Sequence, residues 1–416
     1  MKLISTSILV FSTLATCQKR KPKSATAELA FDIDKWIHKT SDPNVNSIYS
    51  PVSLYNILAS VYFGTGETSE TRKELQEKFN FKKKFNVKKY SKQLDAMTRH
   101  NALDNFNSYI FHKNNVKSQY ARDVRFLNFK DKPLKTFIGK EKTINGIVKK
   151  DTDGMIKNMF APDSFDEQTS MVLLNTILFK GAWDETLGIF NAGVKKRDWM
   201  SGTEEGASGP FVAEFMKSRN RELLYQWDDG TQFISLKFKS EKKRPAKIGS
   251  VVSTIKKSPV YMTIAMPTSF SKNKAYEINF NDVKWRKFHQ IRNAELIFPK
   301  FEIDSELNLI DFMTEQNATR LFSGKTADLD RMFGKNSGNY VADFRQKASI
   351  KVDEKGVKAA AATGSRTVVK MMPPQFKINM PFKFFIHNLN PQSRDRHPGG
   401  SLFFSGVVNC PMNNCS

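Results

Sequence analysis

The chain of 416 residues carries 66 lysines and arginines against 42 acidic residues, a formal net charge of +24. With 39% hydrophobic and 12% aromatic residues, 34 Phe among them, it has enough apolar surface for a large core, which excludes intrinsic disorder. The charge favours polyanions (nucleic acid, heparin-like glycan or an acidic membrane surface) without choosing among them, and a solubilising lysine surface accounts for it equally.

The first residues have the pattern of an export signal. Lys2 gives the positive end, Leu3 to Ala15 are mostly apolar, and Ala15 and Thr16 are small. A signal over 1–17 is expected, then a basic tail over 18–24, and hence a secreted product. The run from Leu3 to Ala15 is too short to span a bilayer comfortably and no other long apolar run exists, with a membrane-anchored product as the alternative. Of three cysteines, Cys17 lies near the expected cleavage point, while Cys410 and Cys415 sit at the C-terminus. Those two either pair across a short loop or stay free. They cannot staple a chain of this length, so stability must come from the core.

From Ala25, the spacing of Leu29, Ala30, Ile33, Trp36 and Ile37 predicts an amphipathic helix. Ser50-Pro51 is a helix-start signal after the apolar pair Ile48-Tyr49, with Leu54, Ile57, Leu58, Val61 and Tyr62 as the apolar face. Thr68 to Phe79 opens another helix. A basic cluster follows: Lys82, Lys83, Lys84, Lys88, Lys89 and Lys92. Residues 107–111 have strand character, and Ile144 to Met159 has helical spacing with Asp153-Gly154 as a local break. Val172 to Phe179 is a near-continuous apolar run, expected to be a strand buried on both faces. Four strands are expected at 223–227, 233–236, 261–267 and 294–301, with a lysine-rich loop at 237–257. Helical spacing resumes at 307–312 and 318–322, and strands at 376–379, 381–386 and 402–408 close the chain. Helices crowd the first half and strands the second, so one α+β unit is expected.

Between the last two groups lies Val352 to Pro374, which contains Glu354-Lys355-Gly356-Val357, four alanines, Thr363-Gly364-Ser365 and Pro373-Pro374. Alanine favours helix, whereas Gly364, the β-branched Thr367, Val368 and Val369, and the proline pair favour extended chain. On its own the stretch is equally a helix or a loop.

Catalytic signatures are missing: there is no HExxH, CxxC or GxSxG. Gly324-Lys325-Thr326 resembles the end of a phosphate loop, but the first glycine would fall at Thr319. The six histidines form no local metal-ligand spacing. No metal, cofactor or enzymatic activity is expected.

Taken together in order, Ser50-Pro51-Val52-Ser53, Gly64-Thr65-Gly66-Glu67-Thr68, Leu174-Asn175-Thr176, Phe179-Lys180-Gly181-Ala182-Trp183, Leu296-Ile297-Phe298-Pro299-Lys300-Phe301, Val352-Asp353-Glu354-Lys355-Gly356, Pro381-Phe382-Lys383-Phe384-Phe385-Ile386 and Phe404-Ser405-Gly406-Val407-Val408-Asn409-Cys410-Pro411 resemble the serpins. The resemblance runs from about Ala25 to Pro411 and implies a serpin domain over 25–411 with a tail at 412–416. It implies a single-domain α+β fold, with helices packed around a large central mixed sheet and two further sheets. A reactive loop at about 354–374 would be exposed.

The resemblance further implies a suicide inhibitor of serine proteases, monomeric and without nucleic-acid or membrane partners. The protease cuts the loop and is trapped as a covalent acyl-enzyme while the loop inserts into the central sheet. The residues fit this task. From Val357, one face of an extended chain carries Val357, Ala359, Ala361, Thr363, Ser365 and Thr367, all small or β-branched. The other face carries Lys358, Ala360, Ala362, Gly364 and Arg366. Glu354, Lys355, Gly356, Val357 and Ala359 to Thr363 would form the hinge, and family spacing places the cut bond at Lys370-Met371. Lysine there suits a trypsin-like protease. Arg366 is a rival site, and cleavage after Met371 by a chymotrypsin- or elastase-like enzyme is another.

Two departures stand out against the family pattern. Val357 replaces the usual Thr or Ser, and Gln346 stands where the family often has a histidine beneath the central sheet, with Ser53 and Asn175 as its expected partners. Lys82, Lys83, Lys84, Lys88, Lys89 and Lys92 fall near the helix that binds heparin in some serpins, so they are either a sulfated-glycan site or a solvated basic face. Asn317-Ala318-Thr319 is a glycosylation sequon. A non-inhibitory carrier, chaperone or storage serpin is the alternative function.

Overall fold

A computed structural model of the protein describes residues 25–81, 105–184, 190–200, 211–239, 259–268, 272–354, 373–391 and 401–412, apart from positions 43, 126, 128, 153, 155, 180, 191 and 192. The expected signal and basic tail, the lysine cluster at 82–92 and residues 355–372 of the reactive stretch lie outside the described residues.

The helices are α1 (Ala25–Thr40), α2 (Pro51–Gly64), α3 (Glu70–Lys78), α4 (Ser118–Val124), α5 (Glu141–Asp151), α6 (Lys272–Glu277), α7 (Leu309–Glu315) and α8 (Asp330–Phe333). The first three follow the expected starts. Ser50 caps α2 by accepting from the Ser53 N–H, Pro51 opens it, and Ser69 caps α3 by accepting from the Arg72 N–H. Helix α2 exceeds its predicted stripe: every residue from Pro51 to Gly64 is buried, including Ser53, Asn56 and Ser60. It packs against strands on one side and helices on the other, so its polar positions face the interior. Helix α5 stops at Asp151, earlier than its spacing predicts. Gly154 follows at φ +79° and its N–H donates to the Lys149 carbonyl, a reversal that favours glycine.

Five strands make a mixed sheet: β2 (Asn105–His112), β3 (Lys130–Pro133), β4 (Met171–Phe179), β10 (Phe301–Asn308) and β11 (Val341–Val352), in the order β10-β11-β4-β2-β3. Pairs β2–β3 and β4–β11 are parallel, and β2–β4 and β10–β11 antiparallel. Strand β4 is buried at all nine positions, as its apolar run predicts. Strand β11 escapes sequence reading because Arg345, Gln346 and Lys347 interrupt its apolar pattern.

The second sheet contains β1 (Ser47–Tyr49), β5 (Val194–Trp199), β6 (Phe211–Asp228), β7 (Thr231–Lys237), β8 (Tyr261–Pro267), β9 (His289–Pro299), β12 (Gln375–Lys377), β13 (Phe382–His387) and β14 (Leu402–Val408). Its order is β1-β14-β13-β8-β7-β6-β9-β12, with β5 also on β6. The two further sheets are continuous through β6, which is 18 residues long. Residues 211–216 of β6 pair with β5, 215–225 with β9 and 224–228 with β7. A core of aromatic and aliphatic side chains, including Phe179, Trp183, Phe298, Phe301, Phe382 and Phe404, lies between the two sheets.

Candidate functional site

Two places on the mixed sheet bear on the stretch expected to be reactive: the end of β11, which leads into it, and the polar cluster beneath β4 and β11. At the first, β11 runs parallel to β4 from Val341↔Met171 to Ile350↔Phe179, with no strand between them. Beyond Val352 the chain is held at two points. The Trp183 indole donates to the Asp353 carbonyl at 3.2 Å. Lys300 Nζ lies 3.2 Å from Glu354 and 3.2 Å from Glu214. Burial opposes the charge on Lys300, but hydrogen bonds and attraction from Glu354 and Glu214 outweigh it and hold its pKa above the ordinary lysine value. Trp183 is fixed by stacking on Phe238 at 4.8 Å between centroids.

The chain is next described at Pro373. The Glu295 N–H donates to the Pro374 carbonyl at 2.9 Å, and β12 pairs parallel with β9 through Phe376↔Leu296. Residues 355–372 therefore connect the end of one sheet to the edge of the other. Of the residues expected to form a hinge, Glu354 is described. Lys355, Gly356, Val357, Ala359, Ala360, Ala361, Ala362 and Thr363, together with Lys370 and Met371, lie outside the described residues.

The second place brings together Ser53, Asn175 and Gln346. Gln346 on β11 and Asn175 on β4 are register partners. Gln346 Nε2 donates to Asn175 Oδ1 at 2.9 Å and to the Ser50 carbonyl at 3.1 Å, and its Oε1 accepts from the Ser50 N–H at 2.7 Å. Asn175 Nδ2 donates to Ser53 Oγ and to Ser108 Oγ, the latter at 2.9 Å. All five side chains are buried. The cluster ties β2, β4, β11 and the start of α2 together, so separating β4 from β11 must break it. Nothing local in the sequence marks Ser108, and Ser50 is legible there as a cap but not as the partner of a residue 296 positions away.

Elsewhere, Asn317 is exposed at φ +55° just after α7, with Thr319 also exposed. Cys410 is disulfide-bonded, and both other cysteines lie outside the described residues. Among the described residues no group of His, Cys, Asp and Glu has a metal-binding arrangement, and no helix is long and apolar enough to cross a membrane.

A family model described as Serpin (serine protease inhibitor) matches residues 24–411. The chain is a serpin. Glia-derived nexin of Homo sapiens is 26% identical over 388 residues, which cover 89% of each chain. The leukocyte elastase inhibitor of Xenopus laevis is 25% identical over 393 residues, 88% of this serpin and 95% of that protein. The crystal structure of native protease nexin-1 with heparin superposes with a TM-score of 0.71 at 20% identity, covering 93% of this serpin and 98% of that chain. The family and the fold agree with what the sequence implies. Lys300 and Trp183 both lie in segments that carry the resemblance, but their links to Glu354 and Asp353 become visible only in the fold.

Proposed function

We propose that this serpin is a secreted suicide-substrate inhibitor of trypsin-like serine proteases, cleaved after Lys370. The observation that carries the reading is the direct parallel pairing of β4 with β11, with the reactive stretch leading off the end of β11 at Glu354. A segment that turns back from β11 and enters between the two strands runs antiparallel to both. It exchanges one parallel ladder for two antiparallel ones, the slightly more stable arrangement per residue. Its alternating small face, Val357 to Thr367, suits burial, and no proline interrupts 354–370.

In the proposed reaction the protease serine oxygen attacks the Lys370 carbonyl carbon. The Lys370–Met371 C–N bond breaks, Met371 leaves as a free amine taking one proton, and an ester joins Lys370 to the protease. Insertion must then outrun hydrolysis of that ester. The Gln346–Asn175–Ser53 cluster sets how readily the sheet opens, and the Trp183 and Lys300 contacts set how readily the hinge leaves. The serpin itself turns nothing over.

Secretion rests on the N-terminal pattern, with 25–411 as the mature inhibitory domain and glycosylation at Asn317. A sulfated glycan is the second partner, through Lys82, Lys83, Lys84, Lys88, Lys89 and Lys92. The lysine-dense sequence and a heparin-bound structural relative support this. Loss of heparin retention when Lys88, Lys89 and Lys92 are neutralised is the expected result, and no retention of the wild type at physiological salt ends that part of the reading.

The deciding experiment incubates the protein with trypsin and resolves the products on a denaturing gel. A complex that survives SDS, a released fragment beginning at Met371, and loss of both in Lys370→Ala are expected. Clean cleavage without complex makes the protein a substrate or a non-inhibitory serpin.

A further inference from the structure

A second group of contacts crosses the β4–β11 seam, apart from the Gln346 cluster. Arg345 precedes Gln346 on β11 and so points to the opposite face of the sheet. Its Nε donates to Asp343 at 3.0 Å, and its Nη1 donates to Glu306 on β10, also at 3.0 Å. The same Nη1 donates to the Met159 carbonyl at 3.3 Å, and the guanidinium carbon lies 4.8 Å from the centre of the Phe160 ring. Residues 159 and 160 belong to the segment that follows α5, and Asn145 of α5 holds that turn. Asn145 Oδ1 accepts from the Met159 and Phe160 N–H groups at 2.9 and 3.0 Å, and its Nδ2 donates to the Phe160 carbonyl at 2.8 Å. The Phe160 side chain is buried in an apolar cluster with Ile144 and Val148 of α5 and Val172 and Leu174 of β4. Leu174 is the register partner of Arg345. One aromatic side chain thus joins the two strands across their seam.

We propose that Arg345 is a positioning residue for strand insertion, a latch that holds the 159–160 turn across the β4–β11 seam and limits how fast the sheet opens. The proposal rests on the insertion reading above. Adjacent strands lie about 4.8 Å apart, so a strand entering between β4 and β11 moves Arg345 and Leu174 to about 9.6 Å apart. Phe160 cannot then keep both its contact with the guanidinium and its place in the cluster with Leu174. Either the guanidinium contacts break, or the turn is pulled off β4 with its apolar cluster. The first is the smaller loss, a cation over a ring and one charge-assisted hydrogen bond against the burial of several large apolar side chains. Arginine suits the role because its planar guanidinium stacks on a ring while it donates in its own plane, which a lysine ammonium cannot do. Asp343 and Glu306 keep the guanidinium on the β10–β11 side when the turn lets go. An entering strand therefore breaks a polar lock on each face of the sheet, Gln346 on one and Arg345 on the other.

The test follows a synthetic peptide with the sequence of residues 357–367 as it enters the intact protein. Entry is read as the growing fraction that stays folded in urea that unfolds the starting protein. Wild type is compared with Arg345→Lys, Phe160→Leu and a control, Ile386→Val, which trims a buried side chain of β13 in the other sheet. Arg345→Lys and Phe160→Leu are each expected to take up the peptide about tenfold faster than wild type, a barrier lower by about 1.4 kcal/mol. Ile386→Val should lower the melting temperature yet stay within about twofold of the wild-type rate. A rate within about twofold of wild type, for either latch variant that folds, overturns the latch and leaves insertion standing. An Ile386→Val rate raised as far as theirs also overturns it, because loss of stability alone then opens the sheet. Peptide that enters none of the proteins overturns the insertion reading, and the latch with it.

Discussion

Gln346 binds both backbone groups of Ser50 at once, accepting from the N–H at 2.7 Å and donating to the carbonyl at 3.1 Å. The side chain behaves like a short piece of strand laid against the start of α2, and its third contact, to Asn175, crosses the β4–β11 seam. Gln346→Ala leaves a buried donor and acceptor without partners. Such a loss costs about 1–3 kcal/mol, so the urea midpoint should fall accordingly. An unchanged midpoint would show that water replaces the amide without loss. Asn175→Ala should be less damaging on top of Gln346→Ala than alone, since the two share one network.

A second buried pair lies on the other sheet. Lys383 on β13 donates to Asp34 on α1, and both side chains are almost fully buried. Burial pushes the Asp34 carboxyl up and the Lys383 ammonium down, each opposed by the attraction of its partner. Lys383→Met strands the carboxylate and should destabilise the protein by about 3–5 kcal/mol. Changing both, Asp34→Leu with Lys383→Met, should restore stability to wild type or above, because a packed apolar pair has no desolvation cost. Urea midpoints of the two variants check this, and a double variant no better than the single one would show that the pair is net stabilising.

This pair illustrates how far the sequence is legible. Lys383 sits within an apolar run that correctly signals a buried strand, yet nothing local shows that its charge is met by a residue 349 positions away. Periodicity recovers β4, β8, β13 and β14 because each is apolar on nearly every residue. It misses β5 and β3, whose side chains are mostly exposed lysines and acids, and β11, whose polar residues serve the cluster beneath the sheet. Order-preserving family segments recover Ser53, Asn175 and Gln346 as a set. The pairing of Lys300 with Glu354 depends on how the two sheets meet, which no local pattern encodes.

His387 gives a pH prediction. It is fully buried, with Nε2 2.7 Å from the Thr263 hydroxyl and the rings of Trp285, Phe280 and Tyr261 around it. Burial pushes its pKa down to about 3, against a smaller opposing contribution from the Leu389 backbone. The folded protein therefore keeps it neutral while the unfolded chain takes up a proton below about pH 6.5. Between about 6.5 and 3 the unfolded state binds more protons, so this group's contribution is complete above that window and is lost as pH falls. The loss approaches about 1.4 kcal/mol per pH unit inside the window. His387→Gln should flatten the acid limb of a melting-temperature profile over this range, whatever it does to stability at neutral pH. A parallel profile would assign acid sensitivity to other groups.

The proposed insertion makes its strongest demand on stability after cleavage. The described β4–β11 ladder pairs residues 171–179 with 341–350, and an inserted strand would replace it with two ladders. About ten additional backbone hydrogen bonds, each worth about 1 kcal/mol net, exceed what a surface rearrangement can supply. Protein nicked by trypsin after Lys370 and repurified should therefore melt at least about 10 °C higher than the intact protein. Thr363→Arg separates insertion from mere cleavage, because Thr363 lies on the small alternating face of the inserting segment. That variant should be cut at the same bond, gain little thermal stability and release active protease instead of a covalent complex, since an arginine on the face that enters the core carries a desolvation cost of several kcal/mol. If nicked wild type and nicked Thr363→Arg melt together, the strand does not enter between β4 and β11, and cleavage at Lys370 is the end of the reaction rather than its trigger.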